Sequence, residues 1–110
     1  MRPAIVLLLL STTYAAAQTH QCAKDAIARA RPLLELHHEG KLENQGSIDD
    51  KVKVLPPVKA LTGNGRLDVL EVWGAIYKAE YRMRFIYIQS RDRNSCALMG
   101  QEIIENSNPY

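Results

Sequence analysis

The sequence predicts an α+β domain: one N-terminal helix packed on a curled antiparallel sheet of four to five strands. Three observations carry this. Apolar residues recur with a helical period over residues 23–39, the period changes to two from residue 51 onward, and turn residues cut the second part into strand-length pieces. A sheet that alternates in this way has one apolar and one polar face. It needs a single covering element, and the helix supplies it.

The helix is written by Ala23, Ala26, Ile27, Ala30, Leu33, Leu34 and His37, which share one face. Asp25 complements the positive N-terminal end of the helix dipole, His37 and His38 the negative C-terminal end, and Gly40 is a stop. Pro32 interrupts the pattern: it removes a backbone donor and crowds the preceding turn, so either a kink or a second helix starting at Pro32 is expected. Residues 41–50 (KLENQGSIDD) are polar, hold a glycine and read as a loop.

The first strand starts at Lys51, with Val52 and Val54 on one face, and meets Pro56 and Pro57. Two prolines belong at a sheet edge or a bulge, because neither donates to a ladder. The strand resumes over residues 58–61 and ends at the turn Thr62-Gly63-Asn64-Gly65. Residues 66–88 have strand composition throughout and would reach about 75 Å if fully extended, too far for a small domain. The segment must therefore fold back, and Gly74, its one glycine, is the expected hairpin tip or bend. From there Tyr77, Tyr81, Met83, Phe85 and Tyr87 line the buried face, while Lys78, Glu80, Arg82 and Arg84 form a charged row on the other. Residues 89–95 (QSRDRNS) are a polar turn, and residues 96–104 the last strand.

Residues 1–17 have the layout of a secretory signal peptide: Arg2, an apolar run over residues 4–10, and Ala15-Ala16-Ala17 before the expected cleavage. The run is too short to span a membrane. Residues 18–110 then form a single secreted, extracellular domain, with thirteen basic residues against twelve acidic ones. Near-neutral charge argues against nucleic acid or anionic membrane as partners. Cys22 and Cys96 are the two cysteines, and in an oxidising compartment they read as a disulfide; free thiols or an intermolecular bridge are the alternatives.

Catalytic residues are not expected: the chain has no G-x-S-x-G and no H-E-x-x-H. No metal and no cofactor is expected either. His37 and His38 are adjacent on a helix and diverge by about 100°, so they do not share one ion. The binding candidates are Trp73, as an anchor if it crowns a hairpin and as core if it packs on the helix, with its neighbours Val72 and Gly74, and the turns of residues 62–66 and 90–95, the latter with Arg91 and Arg93.

VLEVWGA (residues 69–75) followed by YRMRFIYI (residues 81–88) is similar to the second and third strands of cystatins, and the layout of residues 22–104 resembles that family. The resemblance implies a wedge of hairpin tips that enters the cleft of a papain-like cysteine protease, a thiol protease inhibitor acting as a monomer. Val72 and Gly74 match the last two fixed positions of the family's QxVxG hairpin, but Leu70 stands where Gln belongs, and both the Pro-Trp pair and the N-terminal glycine are missing. In a four-strand arrangement the turns of residues 62–66 and 90–95 project from the same end of the sheet, as the two inhibitory hairpins of a cystatin do, where Arg91 and Arg93 would meet an acidic partner. The alternative function is a salivary, venom or host-defence effector that uses the same scaffold on another protein, glycan or lipid.

Overall fold

A computed structural model describes residues 20–92 and 94–107; the expected signal peptide lies outside them. The expected α+β fold is what forms, with one helix on a five-stranded antiparallel sheet that remains open. The elements are α1 (Ala23–His38), β1 (Gly46–Ile48), β2 (Lys53–Lys59), β3 (Arg66–Ile76), β4 (Ala79–Ile88) and β5 (Leu98–Asn106). β3, β4 and β5 are joined in sequence, while β1 and β2 lie one after the other along the free side of β3.

α1 runs unbroken through Pro32 and ends one residue earlier than Gly40 suggests. Glu39 adopts the left-handed conformation (φ 63°), and the N–H of Gly40 closes the end on the Glu35 carbonyl at 3.1 Å. This is the geometry that satisfies the last free carbonyls of a helix. Ala26, Ala30 and Leu34 are fully buried and meet Leu70, Val72, Met83, Phe85 and Tyr87. Small residues on the helix face allow it to lie close to the sheet. Asp25 clamps the contact, accepting from the Tyr87 hydroxyl at 2.8 Å and from Arg29 Nε at 2.7 Å. Burial alone would raise the Asp25 carboxyl, but these two donors outweigh it and hold it below its ordinary range. Tyr87, buried and donating to a carboxylate, is pushed up for the same reasons.

Three expectations are corrected. Residues 41–50 contain β1, and Leu42, at the start of that stretch, is fully buried. Gly74 is no hairpin tip: β3 passes straight through it, and the turn lies at Tyr77-Lys78, with Ile76 opposite Ala79. Tyr77 takes a positive φ of 53°, a conformation usually left to glycine or asparagine, so its residue type gave no warning of a turn. Its ring is exposed with Lys78 Nζ 5.6 Å from the centroid, and does not line the core. Gly74 is needed for close approach instead. A Cβ there would stand 3.1 Å from Ile48 and Met83 and 3.2 Å from Leu34.

The prolines of β2 lie where expected, on an edge strand, with a register shift between Leu55 and Val58. Cys22 and Cys96 form a disulfide with Cα atoms 5.6 Å apart. It closes a loop of 74 residues. Closing one that long is worth about 4 kcal/mol on the chain-entropy account.

Candidate functional site

Register decides what meets at each end of the sheet. Leu67 pairs with Ile88, so the turn of residues 60–65 and the connection of residues 89–97 leave the sheet at the same end. The disulfide brings the start of α1 to this end as well. Three separate pieces of chain thus converge; polar contacts tie the start of α1 to β3 and to the connection of residues 89–97, and the turn of residues 60–65 is closed by its own hydrogen bond. His20 Nε2 lies 2.8 Å from Asp68 Oδ2, and its Nδ1 accepts from the Cys22 N–H at 3.0 Å, which leaves Nε2 as the donor. Gln89 donates to the other Asp68 oxygen at 2.9 Å. Gln21 reaches across to the Ser95 and Asp92 carbonyls at 3.1 and 3.3 Å. Burial alone would raise the Asp68 carboxyl; the Gln89 and His20 contacts outweigh it and lower it.

The turn itself is closed by Ala60 N–H on the Gly65 carbonyl at 2.9 Å, and Gly63 supplies the positive φ of 75° that it requires. Leu61, just inside this bond, is fully solvent-exposed (103%). An aliphatic side chain held entirely in water, on a braced turn beside a second turn, is a feature the sequence did not single out. Its neighbours are turn formers, and one leucine beside them carries no periodicity. Arg91 is exposed on the second turn, and Arg93 lies outside the described residues.

The structure separates Val72, Trp73 and Gly74 from that end. Val72 and Gly74 are buried beneath α1. Trp73 points to the opposite face, 36% exposed, with its indole N–H donating to Glu71 Oε1 at 2.8 Å. It is thus neither a hairpin crown nor part of the helix-facing core. No family model, curated protein or solved structure matches the chain.

The face away from α1 is also more ordered than a plain charged row. Lys53, Glu71, Arg84 and Glu102 stand side by side on β2, β3, β4 and β5, alternating in sign. Glu71 is buried at its centre, receiving Trp73 Nε1 on one oxygen and Arg84 Nε at 2.9 Å on the other. Burial acts to raise its carboxyl, yet those two donors bring the net shift below the ordinary range. Arg84 is spoken for by this ladder, and Lys78 belongs to the β3–β4 turn. Among the described residues no group of three or more His, Cys, Asp or Glu side chains could hold a metal, and no helix is long and apolar enough to cross a membrane.

Proposed function

We propose that the chain is secreted after loss of residues 1–17 and works by binding, with the end formed by residues 20–22, 60–65 and 89–97 entering a concave site on a protein target. The target class we favour is a papain-like cysteine protease, which makes the chain a divergent thiol protease inhibitor. The observation that carries this reading is Leu61, an exposed apolar anchor on a turn whose neighbours are fastened by a disulfide and by the His20–Asp68–Gln89 contacts. Preorganisation of this kind lowers the entropy lost on binding, so a small contact area suffices. Arg91, exposed on the adjacent turn, fits the polar rim of such a contact.

Inhibition of a papain-like protease by the oxidised protein tests this. The expected result is inhibition that Leu61→Ala weakens about tenfold or more, which is the 1.4 kcal/mol or so that a truncated anchor costs. Trp73→Ala, on a remote face, leaves inhibition unchanged. Absence of inhibition at tens of micromolar overturns the protease reading and turns attention to another protein target of the same end.

A further inference from the structure

β5 is the last strand on its side of the sheet, and of the other elements it packs only on β4 and α1. The direction of its backbone groups follows from one hydrogen bond. The Ile88 N–H bonds the Ala97 carbonyl at 3.0 Å, so Ile88 turns its backbone toward β5. Alternation gives the same direction to every second residue of β4 back to Glu80, and these pair with the even-numbered residues from Gly100 to Asn106. Gln101, Ile103 and Glu105 therefore turn their N–H and carbonyl groups away from β4, where they find no partner among the described residues. From Gly100 to Asn106 the pairing on β4 has no shift, and no proline or lysine interrupts it. Those are the residues that ordinarily protect an edge.

We propose that a second copy of this chain covers the edge, its own β5 running antiparallel to the first about a two-fold axis at Ile103. Ile103 is the midpoint of the in-register stretch, so the whole of residues 100–106 pairs, and Ile103 meets its counterpart as a doubly hydrogen-bonded pair. The same axis sets Gln101 opposite the second copy's Glu105, and Glu102 opposite its Ile104, so no carboxylate faces another. An axis at Glu102 instead would set that carboxylate against itself. The side chains also fit. Gln101 is exposed and its amide makes no hydrogen bond among the described residues. The Glu105 carboxylate is steadied along the same edge by His37 Nε2, 3.2 Å from its Oε1, and by the Ser107 hydroxyl. Each Gln101 amide thus gains a charged acceptor from the other copy, and each exchange is made twice. The pair does not use the end formed by residues 20–22, 60–65 and 89–97, so it stands apart from the target proposed for that end.

Sedimentation equilibrium of the oxidised protein, from micromolar to submillimolar concentration, is expected to show a mass that rises to twice that of one copy and no further. Over the same range the hydrogen exchange of the Gln101, Ile103 and Glu105 amides is expected to slow, because each gains an acceptor. Gln101→Pro removes one outward N–H and leaves the ladder to β4 untouched, while Gln101→Glu sets carboxylates against each other in both side pairs. Each is expected to weaken association at least about tenfold. Far-ultraviolet circular dichroism checks that the fold is kept, and Gln101→Glu, a change at an exposed position, decides the matter if the proline variant does not fold. A mass of one copy throughout, an association that the folded variants leave unchanged, or exchange at the three amides that ignores concentration overturns the proposal.

Discussion

Gly74 shows how one residue can serve two opposite readings. A lone glycine in a long strand-like segment signals a bend, yet here it lies flat beneath α1 because Leu34, Ile48 and Met83 leave no room for a side chain. The two roles make different predictions. At a hairpin tip the cost of valine is local backbone strain and the helix–sheet contact stays intact; at a close approach valine overpacks that contact. Gly74→Val is therefore expected to lower stability by about 1–3 kcal/mol, read as a shift in urea midpoint with unchanged slope. A neutral result would mean that Leu34, Ile48 and Met83 shift aside and that close approach is not what requires glycine here. Glu71 is a second case at this scale. It occupies a polar position in an alternating pattern, and nothing in that pattern shows that Trp73 and Arg84 will enclose it. Glu71→Ala strips two donors of their acceptor, one of them charged, and is expected to cost about 1.5–3 kcal/mol by the same measurement. A loss under about 0.5 kcal/mol would mean that solvent replaces those contacts freely.

Among the elements, legibility follows length and periodicity. α1 was readable because seven residues repeat on one face with charges placed to suit its dipole, and β4 because Tyr81, Met83, Phe85 and Tyr87 alternate without a break. The edge placement of β2 was readable from Pro56 and Pro57, since proline cannot donate to a ladder. β1 was not, because three residues are too few for alternation to show, and its pairing depends on β3 already being in place. The turn at Tyr77-Lys78 escaped for a different reason: tertiary pairing of Ile76 with Ala79 imposes a left-handed backbone on a tyrosine. Of the candidate site, the shared direction of the two polar turns was legible from strand order. Leu61 was not, because it stands just past the end of β2, where the alternation has stopped.

At the scale of the whole molecule, three buried or half-buried carboxyls among the described residues are more acidic in the folded protein than their ordinary values of 3.8 for Asp25 and Asp68 and 4.5 for Glu71. Their stabilisation is fully present above those values, and is lost as pH falls through the lower folded ones, because the unfolded chain then binds more protons. Thermal melts are thus expected to show Tm declining as pH is taken below about 4, with a shallower decline in Asp25→Asn/Asp68→Asn/Glu71→Gln. Parallel curves for the two proteins would remove these groups as the cause. The same contacts tie α1, the loop end and the outer face to the sheet, so acid weakens all three together.

The two sides of the open sheet differ. Along one, Pro56, Pro57 and the break between β1 and β2 interrupt the row of backbone groups. Along the other, β5 presents nine residues without a proline; a bulge at Met99 sets off its start, and residues 100–106 stay in register, with Ile104 exposed and Glu102 and Glu105 as their charges. Growth of a fibril by strand addition needs two receptive edges on every copy, one to accept and one to offer. This chain has one. Any assembly built through β5 therefore terminates at a pair, since the second copy uses up the in-register stretch of edge that the first provides.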